Sequence, residues 1–357
     1  MIAAAKDKLD KIIQESRTSV PRALVSIQKE YEARVDVIAR PAVIDYEVSP
    51  AGVLVNLKGD PYTLTNHSEG QLYSRLGIPS TYAKKLQSLG EVDLLENNLR
   101  KLTHRVAGEG MLIRRVGNSI KGILSPSYRM MDASPIFESY IENALKLGFV
   151  PYRGSNTDFR YQIIFIFPEV FQLGENEYLV YGLSLTTGDY GTQALQVEFI
   201  ALRISCTNLH IGYDLFRKVH LGKRFDLGGE DFVEFSEQTH RLDTSTIASA
   251  VSDVVTYGAN HIGQLHEVMA KRANEGVDVQ KALKALRDKG VISKEVAERV
   301  QVTYDTDLPL EALPKEKNLW RFTNALSLVS QSMVDTPDKK IDMEKQAMSL
   351  LIGTEKI

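Results

Sequence analysis

Among its 357 residues the chain holds one cysteine and one tryptophan. A single thiol rules out a disulfide framework and a cysteine-based zinc site, and it fits a reducing compartment. Apolar runs are short. The longest, such as Ile163 to Pro168, have the length of a strand, far below the roughly 20 residues of a membrane span. The stretch MIAAAKDKLDKIIQE mixes acids and bases throughout and lacks the apolar core of a signal peptide. Excess charge is also missing: the formal net charge of −3 argues against a protein that is basic throughout. Common catalytic fingerprints are absent as well, with no Walker loop, dinucleotide glycine pattern, Gly-x-Ser-x-Gly elbow or Asp-rich nuclease cluster. These absences lead to the expectation of a soluble, cytoplasmic protein with no membrane partner, metal or cofactor, leaning away from an enzyme.

What is present is an average globular composition, 43% hydrophobic and 25% charged, enough to bury a core. The periodicity predicts a helix over Ala3–Gln14, strands at Ala42–Tyr46 and Gly52–Leu57, and a helix opened by an Asn66/Glu69 capping box. Helices follow from Pro79 and over Val92–His104. A hairpin is expected from Met111–Val116 and Ser119–Leu124 around Gly117-Asn118. Ser134 and Pro135 take N-cap and first-turn positions of a helix ending at Gly148. Strand alternation runs from Phe159 to Phe167 and on to Cys206. Helices then fill the remainder: Thr246 to about Ala273, Val279–Lys289, one capped by Ser293, and Trp320–Met333. The expected fold class is α+β, a mainly antiparallel sheet with flanking helices in the first two thirds and a helical C-terminal third. The expected division is an N-terminal helical segment (1–40), an α+β core domain (41–225) and a helical region (226–357).

The near-neutral total hides a segregation of charge. Asn98 to Met131 carries seven bases against one acid, and Phe199 to Arg224 five against one, whereas Phe225 onward has 22 acids against 16 bases. A chain so arranged can present a cationic face while weakly acidic overall. With a two-residue loop, Arg114 faces Lys121, two like charges on one strand face that make sense together beside an anion. Tyr128 next to Arg129 offers a stacking ring and a phosphate partner, and Arg153 and Arg160 extend that surface. Arg203 lies in an apolar strand as an ion-paired residue or as the floor of an anion site. Cys206 reads as core, and Asn208 turns the chain at the strand end. His261 and His266 are five apart and do not share a helix face as zinc ligands would. His210, His220 and Asp214 form a non-specific constellation.

Four segments together resemble the phage- and plasmid-like proteins grouped as domain of unknown function 932. They are LSPSY (Leu124 to Tyr128), GLSLTTGDYGTQAL, LRISCTNLHIG and LWRFTNALSLVSQ (Leu319 to Gln331). The family places Gly after the Asn of its Arg-x-x-Cys-Thr-Asn signature, where this chain has Leu209. The resemblance implies a mobile-element origin and, for a phage-encoded chain, the host cytoplasm. Together with the charge pattern it leads to the expectation of a nucleic-acid-binding protein, for single-stranded DNA in replication, recombination or repair, acting as a homo-oligomer. Its contacts would be Arg100, Lys101, Arg105, Arg114, Lys121, Tyr128, Arg129, Arg153, Arg160, Arg203, Lys223 and Arg224. Two alternatives stand beside it: a metal- or nucleotide-dependent enzyme with a site near Arg203, Cys206, Asn208 and His210, and an oligomeric structural or host-interaction protein.

Overall fold

Two sheets organise the chain, the first with helices on one face and the turn of residues 188–194 against part of the other, the second with helices on both faces. The computed structural model describes residues 2–16, 18–106, 110–126, 128, 131–157, 160–204, 208–218, 237–310, 312–333 and 337–353. Helices α1 (Ile2–Ser16) and α2 (Ser19–Ala33) lead into β1 (Arg34–Ala39), then β2 (Ile44–Ser49), β3 (Gly52–Leu57) and β4 (Asp60–Leu64). Three helices follow, α3 (Asn66–Leu76), α4 (Ser80–Leu89) and α5 (Val92–Val106), and then the hairpin β5 (Met111–Val116) and β6 (Ser119–Leu124). The first sheet runs β1-β5-β6-β4-β3-β2, antiparallel except where β4 meets β6. Period-2 patterning buries Tyr46, Val48, Val53 and Val55 on one face, where α3, α4 and α5 lay down Leu72, Leu76, Ala83, Leu95 and Leu99. Each such side chain contributes about 1.5–3 kcal/mol by leaving water.

Helix α6 (Ala133–Lys146) opens the larger part, followed by β7 (Val150–Asn156), β8 (Tyr161–Ile166), β9 (Phe171–Gly174), β10 (Glu177–Thr187), β11 (Leu195–Arg203) and β12 (Asn208–Lys218). The second sheet runs β12-β11-β10-β8-β7, with β9 pairing the start of β10. Its central strands β8, β10 and β11 are buried on both faces, which is why they read as apolar runs rather than alternations. One face meets α6 and the helices α7 (Glu237–Asn260), α8 (Ile262–Ala273), α9 (Val279–Asp288), α10 (Lys294–Asp305), α11 (Leu319–Gln331) and α12 (Pro337–Ile352) in a single core. The other face, with Ile164, Ile166, Val180, Ile200 and Leu202, is capped by Ala5 and Leu9 of α1 and met by Ile341 and Lys345 of α12, the latter pairing with Glu198. Gly182, at the centre of β10, sits so close to β8 that a Cβ there would fall 2.1 Å from the Phe165 carbonyl oxygen.

The architecture is α+β, with antiparallel-rich sheets in the first two thirds and helices after them. The cores cut the chain differently from the expected segments. Strand β1 belongs to the first sheet, α1 and α2 dock on β7, and the helices beyond 237 share the core of the second sheet. Local differences have simple causes. The cap of α3 is Thr65, whose Oγ1 accepts from Ser68 N at 3.2 Å, so Asn66 is the first helical residue. Asp132, not Ser134, precedes α6 at the N-cap. The long helix expected over Thr246–Ala273 breaks at His261, where its N–H donates to Gly258 O in a tight turn and its ring stacks on Tyr257 at 3.8 Å.

Candidate nucleic-acid interface

The β5–β6 hairpin has the expected strands but not the expected register. Arg114 pairs with Gly122 and Arg115 with Ile120, so Lys121 is the extra residue of a bulge and does not oppose Arg114. Arg114 faces away from solvent. Its guanidinium is fully buried and donates to both carboxylate oxygens of Asp36, at 2.9 and 2.8 Å, and to the Asp189 carbonyl at 2.7 Å. Burial works against that charge, and the Asp36 carboxylate more than offsets it, raising the affinity of the guanidinium for its proton. Arg115 lies over the Tyr62 ring at 5.0 Å.

The same seam collects two further residues expected at an exposed surface. Tyr128 has a buried hydroxyl, and burial raises its pKa; Arg160 donates to Gln193 Oε1 at 3.0 Å. The centre of the seam is the β10–β11 turn, with the sequence Thr-Thr-Gly-Asp-Tyr-Gly. The Asp189 carboxyl takes the backbone N–H of Ala133 at the start of α6. The Tyr190 carbonyl accepts from His67 and Gln71 of α3, at 3.2 and 2.8 Å, while its hydroxyl donates to Glu30 of α2 at 2.5 Å. At Gly191, φ is +75° and a Cβ would meet the end of the Leu124 side chain at 2.5 Å, so any other residue there is strained. The turn therefore ties both sheets and three helices together. Arg114 and Tyr128 come together with the guanidinium buried, and the half-buried Arg160 is tied to the residues after that turn through Gln193.

The other expected contacts are dispersed. Arg100 is held by Asp45 at 2.6 Å and Glu96 at 2.7 Å, whereas Lys101 and Arg105 on α5 are exposed and make no ion pair among the described residues. Arg153 donates to Gln162 at 3.3 Å. Arg203 is buried in a bidentate pair with Glu177, at 2.7 and 2.6 Å, and its remaining donors hold the carbonyls of Leu310 and Ala312. Trp320 Nε1 completes that clamp with a 3.1 Å bond to Glu177. Arg203 is thus ion-paired rather than the floor of an anion site. Arg129, Cys206, Thr207, His220, Lys223 and Arg224 lie outside the described residues, as do the side chains of Asn208, His210 and Asp214.

Sequence reasoning missed a different cationic surface. Helix α9, capped by Asp278, buries Val279, Ala282, Leu283 and Leu286 and exposes Lys281, Lys284 and Arg287 at three-residue spacing. After a Gly290 turn, α10 starts at the Ser293 cap, whose Oγ accepts from Val296 N at 3.2 Å. Between the two helices lies a groove of ≈ 690 Å³. Its charged lining is Lys281, Lys284, Arg287 and Lys294 against Glu298 alone. Gln280 and Gln301 bridge the helices across it at 2.9 Å, and Val302 stands 64% exposed at its rim. The 3.9 Å pair between Lys294 and Glu298 is open to solvent and neutralises little.

Among the described residues no cluster of three His, Cys, Asp or Glu is placed to hold a metal ion, and no helix is long and apolar enough to cross a membrane. No family model, curated protein or solved structure matches the chain.

Proposed function

We propose that this protein binds nucleic acid through its phosphates, with the α9–α10 groove as the contact surface. The observation that carries the reading is the groove's charge, four cations to one carboxylate on two rigid helices. Cations facing one another across a trough repel until a polyanion lies between them, and a phosphodiester backbone supplies regularly spaced charge. Lys101 and Arg105 are exposed elsewhere and serve as peripheral contacts at most. Single-stranded DNA of a phage or plasmid, in replication, recombination or repair, is the substrate the sequence resemblance favours. The groove itself selects for charge and not for base.

Fluorescence anisotropy with single- and double-stranded oligonucleotides across a salt series tests the proposal. Three to four phosphate contacts give a slope of log K against log salt of about −2 to −3 on single strands, or a loss of about 20- to 50-fold between 50 and 200 mM. The variant Lys284→Glu/Arg287→Glu changes exposed side chains only, so it keeps the fold, weakens binding and flattens the slope. Binding that is absent, insensitive to salt or unchanged in that variant refutes the reading.

A further inference from the structure

We propose that Asp189 is a proton-operated lock on the seam between the two sheets. Two guanidiniums, Arg34 and Arg114, face three aspartates, Asp36, Asp132 and Asp189. Arg114 is committed to Asp36 through both of its carboxylate oxygens, and Arg34 to Asp132. Asp189 is the surplus acid. It is 4% exposed, its Oδ1 has no hydrogen-bond partner among the described residues, and its other support is the Ala133 N–H at the start of α6.

Among the described residues no other cation makes an ion pair with Asp189. Tyr128, Tyr161 and Tyr190 are neutral phenols, and Glu30, which accepts from the last two, is a further acid. On the α3 side His67 touches the turn through the Tyr190 carbonyl, and Arg160 is engaged with Gln193. Protonation of Asp189 itself removes the surplus negative charge. Burial pushes the Asp189 carboxyl up to about 6, against the pull of Arg114 and Arg34. The sign follows: the folded protein holds this proton more tightly than the unfolded chain. Its contribution to stability is therefore complete below the ordinary aspartate range of about 4 and is lost as pH rises through about 6. Ionisation leaves an uncompensated carboxylate where β1, β5, the β10–β11 turn and α6 meet, and the junction loosens.

The test compares denaturant unfolding of the full chain with Asp189→Asn and His67→Gln from pH 5 to 7.5. The ratio of unfolding constants, wild type over Asp189→Asn, rises about tenfold across that range, and His67→Gln keeps the wild-type profile. A ratio constant within about twofold overturns the proposal, and so does a profile abolished by His67→Gln. Should Asp189→Asn fail to fold, carboxyl-carbon NMR of the wild type reads the group directly. A midpoint near 6 supports the lock, and one below about 5 overturns it.

Discussion

Replacing Arg203 by Met separates a structural clamp from an anion site. The substitution keeps the apolar stem and removes the guanidinium, so Glu177 loses both of its ionic hydrogen bonds and retains Trp320 Nε1 at 3.1 Å. The carbonyls of Leu310 and Ala312 lose their donor at the same time. Arg203 is fully buried and Glu177 9% exposed, so solvent screens the pair little. Breaking such a pair from one side costs about 3–5 kcal/mol, mostly the price of an orphaned buried charge. The double change Glu177→Gln/Arg203→Met removes both charges and is expected to lose about 1–2 kcal/mol, the range of a few neutral hydrogen bonds. Urea unfolding with linear extrapolation measures both, and hydrogen exchange over residues 306–318 reports whether that loop has come loose. A loss below about 1 kcal/mol for the single variant, or equal losses for single and double, refutes the clamp. Weakened DNA binding with unchanged stability would instead restore Arg203 as an anion contact.

Gly182→Ala forces a methyl against the Phe165 carbonyl, 2.1 Å from the ideal Cβ. The expected loss is about 3 kcal/mol or failure to accumulate as folded protein, and an unchanged melting temperature refutes that packing. Ser293→Ala removes the cap of α10 and is expected to lower stability by about 1 kcal/mol. Faster hydrogen exchange at Val296 is its signature, and protection there equal to wild type contradicts it.

What could be read in advance followed from local rules. The hairpin at Gly117-Asn118 has its predicted strand boundaries because turn chemistry and alternation are both local. Its register was not legible, since the bulge at Lys121 answers to the buried Asp36–Arg114 pair, whose members lie 78 residues apart. Helix α2 was expected only as an undivided part of the helical segment 1–40, and strand β1 was missed, for a related reason. Pro21 interrupts the apparent start of a helix, and the chain passes from Ala33 into Arg34 with no turn residue to mark the change. The candidate interface was hidden by averaging. A net negative count over the C-terminal third conceals Lys281, Lys284 and Arg287, although their spacing opposite Val279, Ala282, Leu283 and Leu286 marks a cationic stripe. Conversely, the density of bases around the hairpin pointed to a surface, but Arg100 and Arg114 each found acids contributed by distant strands.

The shared core has a consequence for the order of assembly. Phe165 and Phe199 of the second sheet are buried together with Met343, Met348 and Leu351 of α12, so about half the chain separates partners in one apolar interior. A ribosome that has finished β11 has produced strands covered by α1, α2 and α6 alone, with the layer of α7 to α12 still to come. Closure of such distant contacts is slow and leaves greasy strands open to wrong company meanwhile. The smaller sheet, complete by Leu124 with its own helices, is free to settle first and to wait for the rest.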